Sequence, residues 1–392
     1  MAKGGYYSPD GIARKITKAY YSPNGIARRV KKAYIGVNGI ARLFWSSGLK
    51  RINTASLRNG ARGIGAASLK NYAVFAGGAT TGSTYYKNVD AFDSAGVRID
   101  TVNDLVRARY EIAGVTDDCY DYNICFVGGY DVVGTSHTGT VVDIYDDELV
   151  NVYNGAMFEA GLGRYGAAGC AVYGHFYIGG GMNKNTSEYF KDVYDCYENY
   201  RGEWGLHGEN ELESKSFRCA AANTDVYGVF AGGLVSSSTP HKKVTAFDAM
   251  ITAEPAVEEL GTAKYYHAGA RVENNVIFAG GRGANNVYKD ADAFDRLVTK
   301  IDGIEDLSVA RYQLEGVSYE GYAMFIGGIN GSTAYDTIDV YDENLTLVEE
   351  TGIAMSKTRY DVAAATAGDK LYVAGGQVAS NAVTSDVDIF TY

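Results

Sequence analysis

The sequence predicts an all-β protein built from seven repeats, and two observations carry this prediction. Glycine accounts for 49 of the 392 residues and proline for only 4, a composition that favours tight turns between short strands and argues against a helical bundle. Gly-Gly pairs follow apolar runs at intervals of 47 to 53 residues, which is the period of a repeat architecture. The pairs begin at Gly77, Gly128, Gly179, Gly232, Gly280, Gly327 and Gly375.

Each repeat contains the same succession of predicted strands. The run before a Gly-Gly pair, such as Tyr72–Ala76, is apolar on both faces, which is typical of a strand covered on both sides. A second run follows downstream in the pattern apolar-x-apolar-aromatic-Asp, as in Val89–Asp93. Each repeat opens with a basic residue followed by small and apolar residues. These openers are Arg62, Arg109, Arg164, Arg218, Lys264, Arg311 and Arg359.

This succession of opener, Gly-Gly strand and Tyr/Phe-Asp strand resembles the kelch repeat. The resemblance covers residues 46–392, although the family's outer-strand tryptophan is retained only as Trp204. It implies a seven-bladed kelch-type β-propeller in which each blade is a four-stranded antiparallel sheet. It also implies that the openers surround the channel mouth on the loop face.

The two ends of the repeat region indicate how such a ring would close. The last repeat reaches Tyr392 just after its third strand. Ahead of the first repeat, residues 48–54 resemble the outer-strand sequence at 96–101. We therefore expect an N-terminal outer strand to complete the seventh blade.

Residues 1–45 form a separate, basic arm in this interpretation. Residues 1–51 hold eleven basic side chains and one acid, whereas the remainder holds 25 basic and 46 acidic residues. A Gly-Ile-Ala-Arg unit preceded by Asp10, Asn24 or Asn38 recurs every 14 residues. Asp-Gly and Asn-Gly are strong turn signals, so the arm is predicted to be a small β-meander of hairpin repeats. The opposite charges indicate that arm and body have different partners.

The arm unit resembles short repeats in virion-associated and tail proteins of phages and prophages of Gram-positive bacteria. The resemblance implies that residues 1–45 attach to a structural partner or associate with themselves. Two alternatives stay open: a solvated ribbon without a partner, and a nucleic-acid-binding arm using the basic residues at 28–32. Nucleic acid is not expected as the partner, because the body is acidic. No apolar run would span a membrane, and we expect cytoplasmic synthesis and a virion location.

Candidate binding residues lie in the loops after the Gly-Gly pairs, whereas catalytic groupings are not evident. The five histidines are scattered without metal-ligand spacing, so no metal, cofactor or catalytic residue is predicted. The loops are rich in tyrosine, which gives flat amphipathic contact surfaces. The candidates are Tyr85, Tyr86, Tyr130, His137, Tyr189, His241, Tyr288 and Tyr335. The openers are further candidates: they could bind anionic groups, or they could hold one blade to the next by bonding backbone carbonyls.

These observations predict a non-enzymatic binding protein that recognises a glycan or protein surface through the loop face of the propeller. Two alternatives remain. One is a sugar-acting enzyme, mutarotase-like or oxidase-like, on a kelch propeller. The other is an intracellular protein-interaction scaffold.

Overall fold

Seven antiparallel sheets follow one another around a central channel in the computed structural model. The structure describes residues 48–117, 123–131, 140–156, 163–198, 204–348 and 353–392, together with six strands of the arm. Every regular element within these ranges is a β-strand. Within the same ranges there is no helix with the length and hydropathy to cross a membrane. The predicted all-β, seven-bladed propeller is confirmed.

The first three blades each contain four strands, counted from the channel outwards. Blade 1 has Gly65–Leu69, Tyr72–Ala76, Val89–Asp93 and Arg98–Ile99. Blade 2 has Ala113–Thr116, Asn123–Val127, Val141–Asp146 and Asn151–Ala156. Blade 3 has Ala168–Val172, His175–Gly179, Asp192–Glu198 and Trp204–Glu211. Two short strands at the loop face, Arg109–Tyr110 and Tyr130–Asp131, pair with each other beside blade 2.

Blades 4 to 6 repeat the arrangement, with a fourth strand of two residues in blade 5 and single bridges in its place in blades 4 and 6. Blade 4 has Ala220–Asn223, Gly228–Ser236 and Thr239–Phe247. Blade 5 has Ala268–Val272, Asn275–Ala279, Ala291–Phe294 and Lys300–Ile301. Blade 6 has Glu315–Tyr319, Tyr322–Ile326 and Ile338–Tyr341, with a short hairpin of Ile329–Asn330 and Thr333–Ala334. Within the described ranges the fourth strands of blades 4 and 6 shrink to single bridges, Phe247 with Ala253 and Tyr341 with Leu347.

The seventh blade closes the ring as predicted. Its strands Ala363–Ala367, Lys370–Ala374 and Asp386–Thr391 are completed by Lys50–Ser56 from the amino-terminal side. The pairing runs from Lys50 opposite Thr391 to Ser56 opposite Asp386. This outer strand joins the two ends of the ring through backbone hydrogen bonds and leaves no open third strand in blade 7.

The propeller has two distinct faces. The Gly-Gly turns and the links between blades lie on one, which we call the loop face, and the turns between third and fourth strands lie on the other, which we call the turn face. Because Lys50 pairs with Thr391 at the end of the third strand, the chain comes from the arm into the ring at the turn face. The arm therefore joins the propeller on the side opposite the loop face.

The arm itself consists of three hairpins. Gly5–Tyr7 pairs with Arg14–Ile16, Ala19–Tyr21 with Arg28–Val30, and Lys32–Val37 with Ile40–Ser46. Each hairpin encloses one of the Gly-Ile-Ala-Arg units, in line with the predicted meander of hairpin repeats. The domain boundary after residue 45 stays a prediction.

Apolar side chains pack between neighbouring blades, and a recurring turn helps to seal them. At the turn face, an aspartate such as Asp295 accepts the amide N–H groups of Leu297 and Thr299 at 2.9 Å. The intervening Val298 adopts φ of 63° and is buried in the core between blades 4 and 5. A β-branched residue in this conformation is strained by about 1–3 kcal/mol, and burial of its side chain offsets the strain.

Candidate functional site at the channel mouth

Five of the seven predicted openers are buried inside their own blades. The Arg109 guanidinium donates to the carbonyl oxygens of Gly128 and Val141 at 2.8 and 2.6 Å and contacts the Asp143 carboxylate at 2.5 Å. Arg359 makes the corresponding contacts in blade 7. The five are Arg109, Arg164, Lys264, Arg311 and Arg359, each at most 1% exposed and each paired with an aspartate. These contacts join strands within one blade, away from the channel mouth. They correct two expectations, because these five cations neither surround the mouth nor hold one blade to the next.

The other two openers do not share this position, which corrects the expectation of seven equivalent residues. In blade 3, Tyr165 directly follows the buried Arg164 and forms a β-bridge with Met182. In blade 1, Arg62 itself forms the equivalent bridge, with Ala79, so it lies one position later in its repeat than the buried cations do. Arg218 follows the bridging residue Phe217 and stands two residues later. Counting basic residues could not reveal this, because hydrogen-bond register decides which position each occupies. Arg62 and Arg218 consequently reach the mouth, where their side chains are 27% and 25% exposed.

Blades 1 and 4 fill the buried position without a cation. In blade 1 this position is Ala61, and the buried Asp90 is contacted by Arg58 in place of a buried opener, at 3.0 Å. Blade 4 has Ser216, and Thr245 replaces the aspartate; its hydroxyl accepts the amide of Glu213 at 3.0 Å. His241 lies against Ser216, with 2.9 Å between the imidazole Nε2 and the hydroxyl. Burial lowers the pKa of His241 to about 4, so this site is neutral.

A ring of seven left-handed residues surrounds the channel mouth. Each follows the bridging residue of its blade and has φ between 50° and 61°. From Glu111 onwards, each amide N–H donates to the carbonyl of the preceding member, for example Arg218 to Gly166 at 2.8 Å and Asp361 to Gln313 at 2.9 Å. We call this the mouth ring: Gly63, Glu111, Gly166, Arg218, Tyr266, Gln313 and Asp361. Five non-glycine residues in this conformation are a concentration of backbone strain, which clusters at functional sites.

Ion pairs cross the mouth where the ring has glycine. Arg218 Nη2 contacts Glu111 Oε1 at 2.9 Å, spanning blade 3, whose ring residue is Gly166. The Arg218 guanidinium also lies 4.4 Å from the ring centroids of both Phe217 and Tyr266. On the other side, Arg62 Nη1 is 3.9 Å from Asp361 Oδ2 across Gly63. Positive and negative groups therefore alternate around one small opening.

Among the residues that the structure describes, three buried polar atoms of Arg62, Glu111 and Arg218 at the mouth have no hydrogen-bond partner: Arg62 Nε, Glu111 Oε2 and Arg218 Nε. An unpaired buried donor or acceptor costs about 1–3 kcal/mol. A ligand that bonds to all three atoms must therefore accept hydrogen bonds from the two arginines and donate one to the glutamate.

Two carboxyl groups at the mouth, Asp361 in the ring and Glu315 beside it, have raised pKa values, and only Glu315 is mainly protonated at neutral pH. Burial, followed by the nearby Glu111, raises the pKa of Asp361 to about 6. Burial, followed by Asp361, raises the pKa of Glu315 to about 8. Glu315 occupies a position that is glycine or alanine in the other six inner strands.

Replacing Glu315 with glutamine is expected to stabilise the protein at alkaline pH. The folded-state pKa of about 8 exceeds the ordinary value of 4.5, so the folded protein binds the proton more tightly than the unfolded chain. Stability contributed by the protonated group is lost as pH rises from about 4.5 to 8. Glu315→Gln should match the wild-type melting temperature at pH 5 and exceed it at pH 9, measured by calorimetry.

The control for this prediction is Glu273→Gln at an exposed turn, which should leave the pH profile unchanged. A Glu315→Gln protein that melts below wild type at pH 9 would contradict the argument.

A chain of aromatic rings extends from the mouth across blades 1 to 4. Tyr85 stacks on Tyr110 at 5.3 Å between ring centroids, and Tyr130 lies within 5.7 Å of both. Tyr130 then meets Tyr165 at 5.7 Å, and Tyr165 meets Phe217 at 5.2 Å. The chain ends where Tyr189 meets Phe217. We call these six residues the aromatic chain.

The structure thus brings three of the predicted loop tyrosines together: Tyr85, Tyr130 and Tyr189. One hydrogen-bond register position is occupied by Tyr86, Tyr288 and Tyr335 in blades 1, 5 and 6, and by Phe190 in blade 3. The Phe190 ring lies 4.1 Å from the buried Arg164 guanidinium. His241 occupies the same register position in blade 4. His137 lies outside the described residues. Ligand binding by any of these residues stays a prediction.

Two connected spaces lie along the ring axis. A cavity of about 190 Å³ is lined by the mouth ring and Glu315. A larger one, of about 360 Å³, runs between the inner strands. One small residue from each inner strand lines it: Ala66, Gly114, Gly169, Ala221, Gly269, Gly316 and Ala364. Glycine lets neighbouring inner strands approach closely, since a Cβ on Gly114 would clash with the carbonyl oxygen of Ala66. In the part of the chain described by the structure, no group of three or more His, Cys, Asp or Glu side chains is placed to hold a metal ion.

The mouth ring is the feature that the sequence did not reveal. A signal was present: the residue after each opener-aromatic pair differs in nearly every blade, as in Arg-Tyr-Glu at 109–111 and Arg-Tyr-Asp at 359–361. Variation at one position of an otherwise constant triplet marks a site that the repeat does not need for its own stability. The mouth-ring positions of blades 1 and 4 do not align with those of the other blades if Arg62 and Arg218 are taken as the openers.

Comparison with known proteins supports the fold and goes no further. No family model matches the chain, and no curated protein matches it. Among solved structures, one described as "Structure of YjhT" aligns with a TM-score of 0.56 at 12% sequence identity, covering 74% of this chain and 97% of that chain. At this identity the likeness shows a propeller fold alone.

Proposed function

We propose that this propeller is a non-enzymatic binding protein that recognises a glycan at the channel mouth. The three unpaired polar atoms of Arg62, Glu111 and Arg218 carry the proposal. A sugar hydroxyl both donates and accepts a hydrogen bond, so a pair of hydroxyls could accept from the two arginines and donate to the glutamate. A purely anionic ligand could not donate to Glu111, and a purely cationic one could not accept from the arginines.

The aromatic chain supports the same ligand class. Tyrosine offers a flat apolar ring with a hydroxyl at its edge, which suits the face of a sugar ring and its hydroxyl groups. Tyr110 links the chain to the mouth, since the Arg62 guanidinium lies 5.3 Å from its ring centroid. A glycan longer than one sugar could extend from the mouth towards blade 3 along these rings.

Glycan-array screening of the full chain, followed by calorimetric titration of a hit, tests the proposal. Glu111→Gln and Tyr110→Ala should each weaken binding by about tenfold to a hundredfold, because each removes a contact worth on the order of 1–3 kcal/mol. Tyr173→Ala is the matched control, since Tyr173 is an exposed tyrosine on the turn face.

Loss of binding in the Tyr173→Ala control, or unchanged binding in both mouth variants, would place the glycan elsewhere. A screen in which no glycan binds but a protein partner does would favour recognition of a protein surface.

The arm gives this binding module a point of attachment in the proposal. Its repeats resemble those of phage and prophage tail proteins, and the arm meets the ring at the turn face, opposite the mouth. We propose a virion-associated protein whose arm binds a structural partner while its mouth faces outwards. Recovery of the protein in purified particles, detected by mass spectrometry, tests this part separately from glycan binding.

A sugar-acting enzyme is the second candidate, favoured by the carboxyl groups of Asp361 and Glu315. Their pKa values of about 6 and 8 suit general acid or base catalysis near neutral pH. Turnover of a bound sugar that is lost in Asp361→Asn while affinity is retained would favour the enzyme. Binding without turnover would favour the recognition module.

A further inference from the structure

Of all parts of the propeller, blade 2 has the largest excess of acidic over basic residues. Residues 110–163 contain ten acidic side chains and neither lysine nor arginine. Among the described ones, Asp147 and Glu148 are exposed on the turn between the third and fourth strands. Asp117, Asp131 and Asp143 are buried, so the negative surface that attracts a basic partner lies at the exposed turn of Asp147 and Glu148.

Exposed aliphatic side chains lie beside these acids. Val150 follows them directly and is 49% exposed, and Val152, on the outer strand, is 43% exposed. We call Asp147, Glu148, Val150 and Val152 the blade 2 rim. Towards the arm, the neighbouring blades continue the apolar character with Val97 on blade 1 and Ile52 on blade 7, each about half exposed.

The arm has the complementary properties. Residues 1–47 carry nine basic side chains and one acid, giving a net charge of +8, and include isoleucines, tyrosines and Trp45. Isolated two-stranded hairpins of this size are marginal in water and need a surface to pack against. No comparable basic segment occurs in the rest of the chain, residues 48–392, which is net negative by 19.

Connectivity places the arm within reach of this surface. The arm joins the ring at Lys50 beside Thr391 of blade 7, and the turn of blade 1 contacts blade 7, where a Cβ on Gly96 would be 3.4 Å from Ile389. Blade 2 is the next blade. A tethered segment experiences an effective concentration in the millimolar range, which favours intramolecular docking over capture of a second copy.

We propose that the arm of the free protein docks on the blade 2 rim of its own propeller. The basic side chains face the acids of blade 2, and the apolar side chains of the hairpins cover Val150 and Val152. This interface is independent of the proposed glycan site, which lies at the axis on the loop face.

Hydrogen–deuterium exchange of the full chain, read on residues 28–46, tests the proposal. Val150→Lys/Val152→Lys removes the apolar contact and repels the arm, so exchange there should become about tenfold faster, because exchange follows the population of the opened state. Met250→Lys/Leu297→Lys is the matched control on blades 4 and 5, where both side chains are more exposed, at 81% and 60%. This control should leave exchange in the arm unchanged.

Exchange in Ala363–Ala367 reports whether the propeller remains folded. Should the double lysine variant unfold, Asp147→Asn/Glu148→Gln keeps the apolar contact and should still accelerate arm exchange, with a smaller difference at high salt. Equal exchange in wild type and rim variants, or acceleration in the blade 4 and 5 control, would overturn the proposal. So would arm protection that rises with protein concentration, which would indicate docking on a second copy.

Discussion

Deletion of residues 1–56 is expected to lower the melting temperature by about 5–10 °C or to leave the protein insoluble, whereas deletion of residues 1–47 should have a far smaller effect. The longer deletion removes the outer strand Lys50–Ser56 and exposes the edge of Asp386–Thr391. It also removes Leu49 from the core cluster that contains Tyr392 and breaks the ion pair between Arg51 and Asp388 at 3.3 Å.

The size of this effect follows from what the strand contributes. Burial of one leucine is worth about 1.5–3 kcal/mol, and the loss of a paired strand adds backbone hydrogen bonds at about 1 kcal/mol each. Together these reach on the order of 5 kcal/mol, and each kcal/mol shifts the melting temperature by about 1.4 °C in a domain of about 350 residues, whose unfolding entropy is about 0.7 kcal/mol/K.

A rescue experiment separates ring closure from general damage. A synthetic peptide of residues 47–58, added to the 1–56 deletion, should restore part of the lost melting temperature because it can refill the open edge. Equal melting temperatures for the two deletions would contradict the closure scheme. A peptide without effect would show that the tether, rather than the strand, supplies the stability.

Arg109→Met is expected to destabilise the protein by about 3–5 kcal/mol, because it leaves the Asp143 carboxylate buried without its cation. Asp143 has no exposed surface, and its remaining neighbours are the Val106 amide and the Asn151 side-chain amide, both at 3.0 Å. The unfolding midpoint in urea measures the loss. Arg98→Met is the control: this arginine is 37% exposed and pairs at 3.0 Å with Asp100, which is 77% exposed, so its loss should cost less than about 1 kcal/mol.

Blade 4 suggests how the same site can be made neutral. There Ser216 and Thr245 stand where blade 2 has Arg109 and Asp143. The double variant Arg109→Ser/Asp143→Thr should therefore recover part of the stability lost in the single variant. A double variant as unstable as Arg109→Met, or a single variant as stable as wild type, would contradict the account.

The fold was predictable because its signals are periodic in sequence. The Gly-Gly pairs recur because both glycines adopt positive φ in every blade, although in blade 3 the pair is Gly180–Gly181 and not the predicted Gly179–Gly180. The first glycine also lies close to the link into the next blade; at Gly77 a Cβ would lie 2.6 Å from the carbonyl oxygen of Arg109. The closing strand was predictable because residues 48–54 resemble another outer strand. Such features repeat because each blade needs them.

The candidate site was less predictable because it depends on how the repeats differ. Seven basic residues recur in the sequence, and five of them occupy the same buried position in their blades. Arg62 and Arg218 do not, because their register is visible only in the hydrogen bonds. The mouth ring is defined by a backbone conformation shared by glycine, acid, base, amide and tyrosine. These seven residues share no residue type and no sequence motif, so neither could identify them.

The attachment of the arm at the turn face has a consequence for assemblies of this protein. If several arms are fixed to one support, all the mouths point away from it in the same direction. Weak individual contacts would then act together on a surface bearing many copies of a glycan, and the avidity could exceed the affinity of one site by a factor of about 10²–10⁴. Low affinity in solution would therefore be compatible with firm adhesion of the whole array.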